Sequence, residues 1–297
     1  MIVDSANLAS LFVSLQASFN VGLTIKETFW QHIATEMPST TSENIYHELG
    51  EFPDLREWLG DRHVKRLSAK GYRVVNKKFE ATIGIAKDKL EDDQYQIFGK
   101  RFEMMGNSVA VHPDQLVYGL LPQGFASEGF DGQNFFDTDH PVGNEENEIK
   151  SVSNMQDGAG NPWFLIDDSR PIKPMIFQKR KDYSLKSMTK DDDENVFMRD
   201  EFLYGVDARV NSAFAIWQLA YASKAALTHD NLDAGIASMG ALKSDAGRPL
   251  GVMPKKLICG TSNRAAAKKV IDNMRLANGE DNHNYKALEV VVVPWLD

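Results

Sequence analysis

Along the chain, the hydrophobic positions change period several times. Near the N-terminus Leu8, Leu11, Phe12, Leu15 and Phe19 recur at i, i+3, i+4, i+7 and i+11, which is one face of a helix. This stripe needs a partner surface, in this chain or in another. The polar run Pro38-Ser39-Thr40-Thr41-Ser42 ends the pattern. Further on, Phe79, Ala81, Ile83 and Ile85 alternate with Glu80, Thr82 and Gly84, the period of a half-buried strand. Turn candidates at Ala69-Lys70-Gly71 and Asn76-Lys77-Lys78 make residues 63–90 a predicted β-hairpin. Then Tyr95, Phe98, Phe102, Met105 and Val109 form one continuous helical face. Glu91-Asp92-Asp93 supplies the carboxylates that suit a helix start. Pro113 predicts a kink or a second helix start, and Leu116, Val117, Leu120 and Leu121 carry the pattern on. The whole element would run about 40 Å at ~1.5 Å per residue, a length that suits a spine.

Residues 123–162 lack regular periodicity and are rich in glycine, so they predict a long loop with a short hairpin. From Trp163 the pattern turns to strands, at Trp163-Phe164-Leu165-Ile166 and Pro174-Met175-Ile176-Phe177, with further strand and apolar segments over Val196–Val206 and Ala208–Tyr221. Opposite charge blocks, Lys179-Arg180-Lys181 and Asp191-Asp192-Asp193-Glu194, flank a predicted hairpin. The last portion reads α-β-α-β: a helix over 230–242, a strand over 251–260, a helix over 262–274 and a buried strand over 288–293.

The 297 residues suffice for one large domain or two subdomains. No run of about 18 apolar residues stands out, so no membrane span is expected. The N-terminus lacks a basic leader segment, so synthesis in a cytoplasm is expected. The single cysteine, Cys259, excludes an intrachain disulfide. It sits in the buried-strand pattern Leu257-Ile258-Cys259-Gly260 and reads first as a small core residue. A predicted helix start just after it keeps a nucleophile as the alternative. The net charge of -9 argues against a protein that grips nucleic acid, because such a protein concentrates Lys and Arg against phosphates. It is compatible with a container whose wall does not hold its DNA.

Chemistry-bearing clusters are sparse. Asp137, Asp139 and His140 could begin a metal site, against the plainer reading of an Asx-turn with a hydrogen-bonded histidine before Pro141. Asp191-Asp192-Asp193-Glu194 lacks the alternating ligands and central glycine of a calcium loop and reads as a solvated charge run. Phosphate-cradle, zinc-protease and nucleophile-elbow motifs are missing, and the seven histidines are scattered. We therefore assign no catalytic residue, cofactor or metal, and expect no enzyme.

Several longer runs are specific. Leu49-Gly50-Glu51-Phe52-Pro53 and Arg56-Glu57-Trp58-Leu59-Gly60-Asp61-Arg62 come first, followed by Asn76-Lys77-Lys78-Phe79-Glu80-Ala81-Thr82-Ile83-Gly84-Ile85. Then come Glu91-Asp92-Asp93, His112-Pro113-Asp114-Gln115-Leu116-Val117, Phe130-Asp131-Gly132-Gln133-Asn134-Phe135-Phe136-Asp137-Thr138-Asp139-His140-Pro141-Val142, and Val196-Phe197-Met198-Arg199-Asp200-Glu201-Phe202-Leu203-Tyr204-Gly205. In that order they resemble the major head subunit of Mu-like bacteriophages. The resemblance implies an α+β, HK97-like major capsid fold: an N-terminal arm (1–40), an E-loop hairpin with flanking strands (41–90), a peripheral domain (91–228) with a spine helix over about 92–121, and an axial domain (229–297). The strand-rich part precedes the α-β-α-β end, the reverse of the usual order in that fold, so a rearranged segment order is expected. The implied function is structural: a subunit of hexamers and pentamers in an icosahedral shell around double-stranded DNA. The partners would be other copies of the chain, scaffold, portal and decoration proteins, and packaged DNA without sequence-specific contacts, with no membrane. The shell would belong to the virion and assemble in the host cytoplasm. The alternatives are an encapsulin-like cellular compartment and a metal-dependent hydrolase built on Asp137, Asp139 and His140.

Such a subunit needs surfaces that meet different surfaces on its neighbours. The expected interface residues are Phe52 and Trp58 as apolar anchors, with Arg56, Arg62, Lys65, Arg66, Lys70, Arg73, Lys77 and Lys78 as the basic side. Their expected acidic counterparts are Glu145-Glu146-Glu148 and Asp191-Asp192-Asp193-Glu194.

Overall fold

The computed structural model describes residues 5–47, 49–50, 71–92, 97–144 and 147–297. Helix α1 (Ser5–Ile25) opens it. The apolar stripe finds its partner within the chain, on helix α3 (Ile97–Tyr118): Leu15 and Phe19 share a core with Phe102, Met105 and Val109. The helices approach at backbone distance. A Cβ on Gly22 would lie 2.1 Å from the Glu103 carbonyl oxygen, and one on Gly106 would lie 2.1 Å from that of Phe19. No charged residue falls between Asn7 and Ile25, so α1 is also long and apolar enough to cross a membrane by length and composition. The sequence reading missed this because it looked for an unbroken apolar run, whereas here Ser, Gln and Asn are interspersed.

Strand β1 (Ala34–Pro38) follows a 3-10 turn at Trp30–His32. The carboxylate of Asp114, buried in α3, accepts the backbone N–H groups of Phe29 (2.9 Å) and Trp30 (2.7 Å) and ties this turn to the spine. Burial pushes that carboxyl above its ordinary pKa, and the two donors oppose the rise. Next come β2 (Glu43–His47), β3 (Gly71–Val75), β4 (Lys77–Ala86) and a short helix α2 (Lys87–Glu91). Two expectations change here. The hairpin predicted within 63–90 does not form: β3 pairs antiparallel with β2, and β4 with a distant strand. Asn76 is therefore a passage between two sheets and not a reversal. Glu91 ends α2 and does not open the spine, which runs as one helix through Pro113.

Beyond α3 lie a hairpin of β5 (His140–Asn144) and β6 (Asn147–Val152), then β7 (Met155–Gln156) and β8 (Trp163–Ile166). A long hairpin joins β9 (Met175–Met188) to β10 (Glu201–Phe214), each 14 residues and about 46 Å at ~3.3 Å per residue. Their connection holds a short helix, α4 (Glu194–Arg199), where the sequence suggested continued strand. The chain ends with β11 (Ala220–Ser223), α5 (His229–Gly240), β12 (Lys256–Cys259), α6 (Arg264–Ile271) and β13 (Glu289–Val292).

Two main sheets result. The first runs β1-β9-β10-β4, the second β13-β12-β8-β11-β7. The second sheet draws strands from both sides of residue 229, so that position does not separate the two sheets. The continuous apolar run of β8 is buried on both faces, as such a run predicts. Trp163 and Leu165 pack with Leu232, Met239, Ala267 and Val270 of α5 and α6. Phe164 and Ile166 enter a core shared with the first sheet, where they join Met175, Phe177 and Val210. Phe135 and Phe136, fully buried, fill that core from the long loop.

Gly106→Leu is expected to force α1 off α3 and to destabilise the fold by about 1–3 kcal/mol, read as a lower denaturation midpoint; an unchanged midpoint would contradict the close approach. Burial pushes the Cys259 thiol up to about 11. Iodoacetamide at pH 8 should therefore label it only after unfolding, and rapid labelling of the folded chain would restore the nucleophile reading.

Candidate inter-subunit interface

The hairpin β2–β3 has two unlike faces. Its register sets Glu43 opposite Val75, Asn44 opposite Val74, Ile45 opposite Arg73 and Tyr46 opposite Tyr72. Alternation then puts Asn44, Tyr46, Tyr72 and Val74 on one side. That side lies against the first sheet. At its root, Gln178 of β9 is fully buried. Its Oε1 accepts from Tyr46 Oη (2.8 Å), and its Nε2 donates to the Val74 carbonyl (3.2 Å) and to Asn76 Oδ1 (2.9 Å). Asn76 Nδ2 donates in turn to Ser39 Oγ (2.8 Å) and the Thr41 carbonyl (2.9 Å), and Asn211 Nδ2 donates to the Val75 carbonyl (2.8 Å). The Gln178 amide thus ties both strands of the hairpin and Asn76 to β9, and Asn211 adds a tie from β10.

The opposite face of the hairpin carries Glu43, Ile45, Arg73 and Val75 into solvent, with Ile45 and Val75 about half exposed. Arg73 Nε donates to Glu43 Oε2 at 2.6 Å across the strands. Past β2, Leu49 is buried, and Gly50 sits where a Cβ would lie 2.4 Å from the Phe130 ring. Two further apolar surfaces are exposed. Val13, Val21 and Ile25 lie on the side of α1 away from α3, and Phe197 and Met198 stand on α4.

The Asp137-Thr138-Asp139-His140 run does not assemble a ligand set. His140 is fully buried and stacks on Trp217 with centroids 3.9 Å apart. Its Nδ1 is 2.7 Å from Asp131 Oδ2 and its Nε2 3.2 Å from Asn154 Oδ1. The Asp137 carboxylate accepts the Thr138 (2.7 Å) and Asn134 (3.2 Å) N–H groups. Among the described residues no three His, Cys, Asp or Glu side chains are grouped to hold a metal. Both ring nitrogens that a hydrolase would use are engaged in holding the loop to the core.

The model of the family described as the Mu-like prophage major head subunit gpT matches residues 8–296. The chain belongs to this family. It is 38% identical to the major capsid protein of Escherichia phage Mu, with all of both chains covered. It is 39% identical to the Mu-like prophage FluMu major head subunit of Haemophilus influenzae, over 89% of this chain and 88% of that one. Among solved structures it resembles the procapsid of bacteriophage JBD30, with a TM-score of 0.89, 42% identity, and 99% of this chain and 100% of that one covered. The JBD30 capsid aligns at a TM-score of 0.80 and 32% identity over the whole of both chains. The capsid decorated with minor capsid protein trimers aligns at 0.74, also with 32% identity and full coverage of both. The chain is thus a phage major head subunit with the mixed helix-and-strand fold of those capsid proteins, and its place is the virion.

Of the head subunit's expected interface residues, Phe52, Arg56, Trp58, Arg62, Lys65, Arg66 and Lys70 lie outside the described residues, as do Glu145 and Glu146. Arg73 is on the hairpin but pairs with Glu43 of the same hairpin. Lys77 and Lys78 stand on β4, in the sheet, and not on the hairpin. Asp193 accepts the Lys190 N–H through Oδ2 (2.9 Å) just before α4. Sequence reasoning missed Gln178, Ile45, Val75, Phe197 and Met198. A signal existed for the last two: a run of carboxylates ahead of apolar residues marks a helix start as well as a solvated loop.

Replacing Gln178 with Leu removes its bonds to the Tyr46 hydroxyl, the Val74 carbonyl and Asn76 Oδ1, at about 1–3 kcal/mol where the group left unsatisfied is buried, as at Val74. Amide exchange over residues 71–75 should accelerate well before that of β12. Equal protection in both would show that the amide does not hold the hairpin.

Proposed function

We propose that the head subunit forms hexamers and pentamers of an icosahedral shell around double-stranded DNA, with the β2–β3 hairpin of one copy lying over the next. The observation that carries this reading is the two-faced hairpin: one side is fixed by Gln178, and the other offers Ile45 and Val75 with no covering element among the described residues. Heterologous contacts of this kind close into rings. In this reading the hairpin with its 48–70 connection is the E-loop, the first sheet with α3 is the peripheral domain, and the second sheet with α5 and α6 is the axial domain. The chain enters the second sheet twice, at β7–β8 and again from β11, which accounts for the unexpected order of strand-rich segments in the sequence. Phe52 and Trp58 remain the proposed anchors, since buried aromatics dominate interface energy. Exposed basic pairs, at about 0–1 kcal/mol each, set register.

The chain aligns better with the JBD30 procapsid subunit than with its capsid subunit, which supports reading this conformation as the one that precedes maturation. By analogy with the decorated JBD30 capsid, a minor protein would bind the finished shell. Scaffold and portal proteins complete the proposed partners, assembly takes place in the host cytoplasm, and the acidic wall leaves the DNA free of tight contacts.

Electron microscopy and light scattering of the purified chain should show closed shells or rings of five or six subunits. The double variant Phe52→Ala, Trp58→Ala should stay soluble and form none. Normal shells from that variant would remove the anchors from this account, and a wild-type chain that stays monomeric with its phage partners present would remove the account itself.

A further inference from the structure

The β9–β10 connection presents a fixed apolar knob. Phe197 is 81% exposed and Met198 70% exposed. Their helix is nonetheless held firmly. Val196 is buried in the core beneath α1 and α3, and Asn195 Nδ2 donates to the Met188 (3.2 Å) and Glu201 (2.6 Å) carbonyls, one on each long strand. Asp200, at φ 51°, turns the chain sharply back into β10. Asp191, Asp192 and Glu194, all exposed, and Asp193 lead into the helix, and Arg199 is its one basic residue, so the segment is acidic on balance. A large apolar side chain on so fixed a support loses little entropy when it docks.

A groove of about 660 Å³ lies elsewhere on the same sheet, between α3 and strands β4 and β10. Phe79, Ala81, Ile83, Met104, Val109 and Val206 make it largely apolar. Its floor is rigid. Phe79 meets the His112 ring edge-on at 4.4 Å, and Tyr183 Oη lies 2.5 Å from His112 Nδ1. Burial lowers the histidine and raises the phenol, so both groups stay neutral and share a hydrogen bond. Arg101 stands in the lining, and Lys77 shares the strand face of Phe79 two residues earlier. Glu80 is the carboxylate in the lining, and its Oε2 accepts from Thr82 Oγ1 (2.7 Å). Phe197 and Met198 do not line the groove of their own chain. In the β10–β4 ladder the start of β10, Glu201, faces Ala86, while the groove runs along β4 from Ile83, opposite Tyr204, to Phe79, opposite Ala208, so it begins about 10 Å and ends about 23 Å away at ~3.3 Å per residue.

We propose that α4 of one head subunit inserts Phe197 and Met198 into the α3–β4 groove of a second copy, with the carboxylates of Asp191–Glu194 facing Lys77 and Arg101. The contact rests on the shell reading above and adds to it a second heterologous interface, independent of the hairpin. Charge and polarity both select this occupant: an apolar knob behind an acidic lead-in meets an apolar groove edged by Arg101 and Lys77.

The test is a disulfide trap in assembled shells. Met104→Cys combined with Met198→Cys keeps Phe197 in place, and the native Cys259 is buried and cannot compete. Mild oxidation should give a ladder of covalent oligomers on a non-reducing gel. Phe197→Asp, at an exposed position, should leave the monomer's unfolding midpoint unchanged and lower shell yield at least tenfold. Shells that form normally but yield only monomer on the gel overturn the contact and leave the shell reading standing. A ladder from Met104→Cys with Ile45→Cys instead would assign the groove to the hairpin and overturn the contact as well. A wild-type chain that forms no shells with its phage partners would overturn the shell reading, and the contact with it.

Discussion

Everything that protrudes from this chain depends on the apolar seam where its two sheets meet. Phe164, Ile166, Ile258 and Val291 come from one sheet, Met175, Phe177 and Val210 from the other, and Phe135 and Phe136 close the space between them. Interiors this dense transmit displacement instead of absorbing it. The seam therefore fixes the start of the long β9–β10 hairpin, whose far end carries α4, and it fixes Gln178, on which the β2–β3 hairpin hangs. Asp114 extends the same frame to the N-terminal segment by holding the Phe29–Trp30 turn against the spine. A subunit that must place contacts tens of ångströms from its centre needs such a frame, because an angular error at the seam grows with distance along each projecting element.

The surface is unusual for a chain considered alone. Val13, Val21 and Ile25 on α1, Ile45 and Val75 on the hairpin, and Phe197 and Met198 on α4 are all well exposed, each on a regular element and not in a loose loop. Exposed apolar groups gathered in this way mark surfaces meant to be covered. In a shell each copy repeats every contact, so individually weak interfaces suffice and rigidity of presentation matters more than the strength of any one pair. The charges fit this division. Arg73 is balanced by Glu43 within its own hairpin, and Asp207 is held down to about 2 by hydrogen bonds from Lys181 and then Lys186. Both pairs are exposed and brace strands more than they stabilise the fold.

Much of this was legible in the sequence. The stripe Leu8–Phe19 required a partner, the face from Phe98 to Val109 required a long helix, and Trp163–Ile166 required a strand buried on both faces, because burial imposes a period on any element that has an apolar side. The family was legible too, because runs such as Phe130–Val142 must keep their order where Phe135, Phe136 and His140 plug and latch one core. Pairing was not legible. Local pattern places β3 beside β4, yet β3 joins β2 across the intervening residues and β4 joins β10 more than a hundred residues later. Strand alternation says which face is apolar and is silent about which strand lies alongside. Nor did any pattern single out Gln178, since a lone polar residue in a strand looks the same whether it faces solvent or fills a buried junction. The sequence by itself determined the long periodic elements and the family, through periodicity and ordered motifs. Only the tertiary structure decided which strands share a sheet, which apolar faces are left uncovered, and which buried amide supports the projecting hairpin, because each of these depends on contacts between residues far apart along the chain.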